Sequence, residues 1–524
     1  MFVFSLWVFM MNANNQDSGD EDPGNTNAFL NPLLIIALSI TSLIAIWGLV
    51  DTAGLADIAA RLVAIQFTSR AWFIMLAVSF MLLVCAWLTV SRYGRIKLGD
   101  DDDEPEFSTI SWLTMLFAAG MGVGLLFWGT AEPLTHYDYI AEYSGSREAA
   151  SQALFVTNFH WGLHAWSIYA LTGLVIAYFS FRRKCPSLVG APVLDTFGKN
   201  RITCVVAWMS NLLAIVAISI GVGGSIAMGV FQVQDGIDRL FEIESSGMGL
   251  TVLVFVTLCV AYFPALVVDL SRGMAKLSNA AMAVACGLMI YILIAGPTHY
   301  LMGGIVQSIG DYFGSVLVHG FRTFTFFDER VNNWFQSWTL TYMVWWIAWA
   351  PFVGVFIARI SRGRTIREFI CGVIFGPTIF SILWFGVFGG AGMYELLQNG
   401  SPIMVVVREN VSGVTFFVLS SFPLPLLTIS LVIVAAFLFI VTSVVSAAFV
   451  LGMFSSAGDL NPSVQIKLSW GVILGALGFV MILSDNIAAI KAIIALGSLP
   501  FVFVILLLVV CLLKTLKKEV AISK

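Results

Sequence analysis

Along the 524 residues, apolar runs of roughly 20 residues recur from one end to the other, separated by short polar or Gly/Pro-rich breaks. Each run is long enough to cross a hydrocarbon core of about 30 Å as a helix. Counting them predicts about twelve spans, centred near Ala37, Val78, Ala119, Trp166, Ile218, Val260, Met289, Trp346, Thr378, Phe439, Leu477 and Val502. Segments 305–327 and 402–421 are shorter or amphipathic, and the pattern assigns them to the membrane interface. The longest breaks, 132–150, 303–333 and 390–425, leave no room for a soluble domain. The pattern predicts an all-α integral membrane protein.

Composition agrees with this reading: 59% of residues are hydrophobic, 11% are charged, and mean hydropathy is +0.92. The placement of charge is more informative than the net value of -4. With the N-terminus inside, most Lys and Arg fall on one side, in loops 181–201 and 359–367 and in the tail. The excess of Lys and Arg in cytoplasmic loops then predicts that both termini are cytoplasmic. The seven cysteines (Cys85, Cys185, Cys204, Cys259, Cys286, Cys371, Cys511) show no paired spacing and read as small apolar residues.

Residues 1–28 are expected to form a disordered cytoplasmic N-terminus. Their apolar opening is too short to span, and 12–27 is polar and acidic. Two leading helices occupy 29–98. The acidic run Asp100-Asp101-Asp102-Asp103-Glu104, within 99–108, reads as a solvated cytoplasmic linker. The remaining ten spans divide into two groups of five, 109–302 and 333–513. A periplasmic amphipathic segment (303–332) lies between them, and a short cytoplasmic tail (514–524) follows. Repeats of five spans have inverted topology, a common transporter arrangement.

Several stretches carry candidate chemistry. Trp345, Trp346 and Trp349 fall within about 100° of helical arc, and indole faces suit a cation that donates no hydrogen bonds, such as a quaternary ammonium group. Trp161, Trp166 and Tyr169 fall within about 140° of one side of an ideal helix. Gly120, Gly122 and Gly124 alternate in the third span. They either let the backbone unwind and offer carbonyls to an ion or allow close helix packing. Thr442 and Ser443 lie in an apolar helix. Their hydroxyls either bond back to that helix or join the unwound carbonyls as oxygen ligands for Na⁺. His160 and His164 have the i, i+4 spacing of zinc ligands, but no third ligand or carboxylate stands near them in sequence. The spans offer almost no ionisable group in mid-membrane, which favours Na⁺ over proton coupling.

The chain resembles the betaine/choline/carnitine transporter (BCCT) family. The resemblance rests on Gly120-Met121-Gly122-Val123-Gly124 with Gly129-Thr130-Ala131-Glu132-Pro133, and on Trp345-Trp346-Ile347-Ala348-Trp349 running on to Ala358–Glu368. It implies twelve helices in a bacterial plasma membrane, with a LeuT-like inverted repeat of five plus five after two extra helices. It also implies import of zwitterionic or cationic osmolytes by alternating access, and a homotrimer. By resemblance, an aromatic box of Trp161, Trp166, Tyr169 and Trp346 holds the trimethylammonium group. Trp345 and Trp349 line its pathway, Phe127 acts as a gate, and Gly122 and Gly124 belong to the binding segment. The main sodium site carries onto Ala118, Met121, Phe439, Thr442 and Ser443. A second site near Phe352 lacks the threonines that sodium-coupled relatives often supply in the fifth span, which here reads Ser219-Ile220-Gly221-Val222-Gly223-Gly224-Ser225. Gly124 stands where proton-coupled choline carriers tend to have Asp.

The expected function is Na⁺-coupled import of glycine betaine or a related methylated osmolyte, with sodium as coupling ion, no cofactor, no catalysis and no nucleic-acid partner. The alternatives are a sodium-independent carnitine/betaine-type exchanger and, in a different class, a membrane-embedded metalloenzyme built on His160 and His164.

Overall fold

The computed structural model describes residues 31–120, 122–142, 146–244, 246–268 and 271–522. The N-terminal segment read from the sequence and Met121 lie outside them. Among the described residues the chain is helical throughout, and its one isolated β-bridge joins Lys97 to Thr365.

Two leading helices, α1 (Pro32–Val50) and α2 (Thr52–Val90), meet at Asp51, whose carboxylate caps α2 by accepting from the Gly54 amide. The third span is split into α3 (Thr109–Gly120) and α4 (Val123–Ile140). The fourth is α5 (Ser146–Trp161) followed by α6 (Leu163–Ala177), with a π-helical turn at Tyr178–Arg182. A short α7 (Ala191–Phe197) leads to α8 (Arg201–Leu240), α9 (Gly247–Val267), α10 (Ser271–Ala295) and α11 (Thr298–His319). Next come α12 (Glu329–Phe335), a π-helical turn at Gln336–Leu340 and α13 (Thr341–Arg359), which together make one span. Helix α14 (Ile366–Leu397) starts at a capping box in which Thr365 and Glu368 satisfy each other's backbone amides. The chain continues through short α15 (Ile403–Glu409) and α16 (Val414–Leu419), then α17 (Pro425–Ser455) and α18 (Val464–Leu483). The last span, α19 (Ile487–Ser498) and α20 (Phe501–Ile522), bends by 42°. Pro500, which has no N–H to donate, sits in that bend.

Eleven of these helices are long and apolar enough to cross a bilayer, and the bent pair makes twelve. The number matches the sequence expectation, but the membership differs. Segment 305–327 belongs largely to α11, a 22-residue helix that passes the length and hydropathy test. The third span does not pass it, because α3 has 12 residues and covers only about 18 Å, while α4, with 18 residues, is too polar toward its C-terminal half.

The expected loop 132–150 is also corrected, since α4 continues through Glu132 and Pro133 to Ile140. Segment 402–421 forms α15, one 3₁₀ turn and α16. Outward faces carry Leu43, Trp72, Leu83, Leu253, Val260 and other large apolar side chains, as lipid contact requires. The span Ser146–Arg182 is instead buried along its whole tested window, which places α5 and α6 at the centre of the bundle. Helix α6 packs extensively on α13, and α17 on α8.

The acidic linker is exposed at Asp100, Asp101, Asp102 and Glu104, and it also carries ion pairs. Asp100 pairs with Lys184 at 2.8 Å, Asp101 with Arg182 at 2.5 Å and Asp103 with Arg362 at 3.1 Å. It thereby ties together the two basic loops from which orientation was read.

Candidate functional site

The fourth span breaks at Gly162, and the break has a packing cause. A Cβ there would lie 2.0 Å from the Tyr312 hydroxyl and 2.6 Å from the Asn158 carbonyl oxygen. That hydroxyl, from α11, accepts a hydrogen bond from the Leu163 amide at 2.7 Å, satisfying one of the free N–H groups at the start of α6. His160 and Trp161 therefore end one helix, while His164, Trp166 and Tyr169 lie on the next. The expectation that Trp161, Trp166 and Tyr169 lie on one side of a single ideal helix, and the i, i+4 helical spacing of His160 and His164, are corrected by this break.

The aromatic rings nonetheless converge, because α13 packs across the break. Trp346 meets Trp161 at 5.6 Å in a near-perpendicular arrangement, Trp166 at 5.7 Å and Tyr169 at 4.8 Å between centroids. It is the hub of the cluster. Trp161, Tyr169 and Trp346 border a cavity of about 100 Å³ among the helices. Its wall includes Trp161, Tyr169, Trp345, Trp346 and Trp349 from the predicted set, with Gly122 and Gly124. Trp166 is fully buried behind Tyr169 and Trp346. Phe127 packs behind Trp128 at 4.7 Å, and Phe352 behind Trp349 at 5.5 Å, so neither faces the cavity.

Gly124 approaches the box closely, since a Cβ on it would lie 3.3 Å from Cη2 of Trp161. The proposed ion ligands Phe439, Thr442 and Ser443 line the same cavity. The Thr442 hydroxyl donates to the Phe439 carbonyl at 3.1 Å, the back-bonded geometry weighed above. The bond uses the hydroxyl proton and leaves lone pairs on both oxygens. Ala118 lies near the end of α3.

Sequence reasoning missed Trp128 and Tyr342, which also line the cavity, and the charged groups behind them. The Glu132 carboxylate is completely buried and collects four partners. Oε1 faces His160 Nδ1 at 2.7 Å and His136 Nε2 at 3.3 Å. Oε2 accepts from Trp161 Nε1 at 2.8 Å and from the Tyr342 hydroxyl at 2.5 Å. Lys491 lies 3.5 Å from the Trp338 centroid and 4.7 Å from that of Trp128. The expectation of almost no ionisable group in mid-span is therefore corrected. The signal was present as a carboxylate and a lysine isolated among apolar residues, a pattern that marks function inside membranes.

The metalloenzyme alternative loses its basis in the same network. His164 packs on Phe159 and is not among the groups that gather around Glu132. The carboxylate thought to be missing is Glu132, and its donor atoms and those of His136 and His160 lie within 4.8 Å of one another. Their remaining ring nitrogens are also engaged: Trp334 Nε1 donates to His136 Nδ1, and His160 Nε2 bonds Thr339. Hydrogen bonding thus accounts for the whole cluster.

Long apolar helices and a buried aromatic cavity define an α-helical integral membrane protein with a ligand-sized chamber in its interior. Residues 32–521 match the family described as BCCT, betaine/carnitine/choline family transporter. The chain belongs to this family, and it is a transporter and not an enzyme. It is 39% identical to the glycine betaine transporter OpuD of Bacillus subtilis (strain 168), over 92% of this chain and 94% of that protein. It is 32% identical to an ectoine/hydroxyectoine transporter of Virgibacillus pantothenticus, over 94% of this chain and 98% of that one. It is 35% identical to the high-affinity choline transport protein of Escherichia coli (strain K12), over 86% of this chain and 66% of that one.

Proposed function

We propose that this protein imports glycine betaine, or a closely similar methylated osmolyte, together with Na⁺. The observation that carries the reading is Trp346 in ring contact with Trp161, Trp166 and Tyr169 at the edge of an interior cavity. A desolvated cation–π contact is worth up to about 2 kcal/mol. Three such rings supply about 6 of the roughly 8 kcal/mol that micromolar binding requires. The similarity to a glycine betaine transporter over nearly the whole chain supports the same substrate class.

Sodium coupling draws support from the neutral oxygen groups Thr442 and Ser443 on the wall that also holds Gly122. Among the described lining residues there is no cationic or thioether side chain to replace an ion, which speaks against sodium-independent exchange. One Na⁺ moving with a zwitterion carries one net charge. At 100 mV it contributes about 2.3 kcal/mol, roughly a fifty-fold gradient.

Irregular geometry in the first span of each five-span group fits the inverted-repeat scheme, with a break at Gly122 in one and a π turn at Gln336–Leu340 in the other. Alternating access, a homotrimer and cytoplasmic termini complete the proposal.

The test is uptake of labelled glycine betaine into proteoliposomes under an inward Na⁺ gradient, compared with K⁺. Uptake equally fast with K⁺ removes the coupling. Failure of betaine, choline, carnitine and ectoine alike to compete for binding removes the substrate class.

A further inference from the structure

We infer that Lys491 is a specificity-determining residue that turns the cavity away from net cations and toward zwitterions. The inference rests on the reading that the cargo carries a quaternary ammonium group. Lys491 is the one charged residue of α19 and is only 8% exposed. Its ammonium lies 3.5 Å from the ring centroid of Trp338, 4.7 Å from Trp128 and 5.8 Å from Tyr342. Among the described residues, no carboxylate comes within ion-pair distance of it. A buried lysine without such a partner is held by ring faces, the arrangement that stabilises an ammonium group in an apolar setting.

Two of those three rings, Trp128 and Tyr342, also form part of the cavity wall. They separate Lys491 from the cargo by about one ring. Lys491, Trp128 and Tyr342 are all buried, so charge is poorly screened across that wall. A net cation in the cavity meets repulsion from Lys491, and the rings it approaches already serve another cation. A zwitterion avoids this by turning its carboxylate toward the Trp128 side of the wall, the cavity-lining ring nearest Lys491.

The opposite preference is built in at Trp161. Its indole N–H is donated to the Glu132 carboxylate at 2.8 Å, and the Tyr342 hydroxyl to the same oxygen at 2.5 Å, which places negative charge behind both rings. The ammonium end of the cargo then belongs with Trp161, Tyr169 and Trp346, and the carboxylate end with the wall backed by Lys491. The two buried charges form a template for a dipole, with the aromatic rings between them and the ligand.

The experiment measures dissociation constants for glycine betaine and choline on the purified full-length protein, by ligand-induced change in tryptophan fluorescence. Wild type should bind betaine at least ten times more tightly than choline. Lys491→Met should reduce that ratio at least fivefold, chiefly by tightening choline, while Lys491→Arg retains it. If the methionine variant does not fold, Lys491→Gln, shorter but still polar, removes the charge and should give the same reduction. A neutral variant that folds, binds betaine and keeps the wild-type ratio within twofold overturns the role of Lys491. Wild-type protein that binds neither compound overturns the substrate reading, and this inference with it.

Discussion

Trp161 hangs from Glu132: its indole nitrogen donates to Oε2 over 2.8 Å, across the boundary between α5 and α4. The same oxygen accepts from Tyr342 on α13, so one carboxylate sets the position of two cavity-lining rings from two helices. Glu132→Gln loses the charge and turns two N–H donors toward groups that are themselves donors. It should weaken betaine binding at least tenfold, or about 1.4 kcal/mol, and lower the melting temperature. Glu132→Asp, which keeps the charge, should restore part of the affinity. An affinity unchanged in Glu132→Gln would show that Trp161 needs no anchor.

Trp346 is the one ring in contact with all three of its box partners. Trp346→Ala should raise the dissociation constant for betaine more than tenfold, read by calorimetry or equilibrium binding. Monodisperse elution of the variant separates lost contacts from lost folding. Wild-type affinity in this variant would remove the box assignment.

Thr442 and Ser443 contribute hydroxyl oxygens beside the cavity. Replacing both with alanine should abolish the Na⁺ dependence of uptake and leave slow uptake that is the same in Na⁺ and K⁺. Retained stimulation by Na⁺ would place the ion elsewhere.

Hydropathy alone places nearly every span, because lipid contact demands long apolar helices whatever the interior does. It falters where the interior overrides it. The third span is divided near Gly122, and α11 carries a polar face that hides a helix of spanning length. The meeting of Trp346 with Trp161 was legible only through family resemblance, since helical periodicity says nothing about which helices are neighbours. Glu132 escaped notice because Thr130-Ala131-Glu132-Pro133 reads as the start of a loop, whereas Pro133 lies inside α4. Lys491 is a single charge inside an apolar run, and only the packing of α19 against the α13 region shows what it faces.

Gly162 has no room for a methyl group. Gly162→Ala should destabilise the protein by about 1–3 kcal/mol, the usual cost of overpacking, measured as thermal stability in detergent. In a Tyr312→Phe background the closest clash disappears, so the added alanine should cost less. Equal costs in both backgrounds would mean that the break is not set by the Tyr312 hydroxyl.

The Arg362 guanidinium, bonded to Asp103, holds that carboxyl below the usual carboxylate range. A depressed pKa in the folded state means that the contact stabilises the protein above the ordinary carboxylate pKa and fades as pH falls through the lowered one. Protection of the 99–104 amides, measured relative to their intrinsic exchange at each pH, should therefore fall only on acidification beyond that range, and Asp103→Asn should show low protection at neutral pH. Exchange in the variant as slow as in wild type would mean that the linker is held by its other contacts.

Trp161 ends one helix while Trp166 and Tyr169 ride on the next, with a bare glycine between them. The Leu163 amide's bond to Tyr312 and the Trp161 indole's bond to Glu132 hold the two sides of that joint from outside the cavity. The joint is in this sense a protractor locked by the bundle: the angle at which the rings face one another is set by the packing around them.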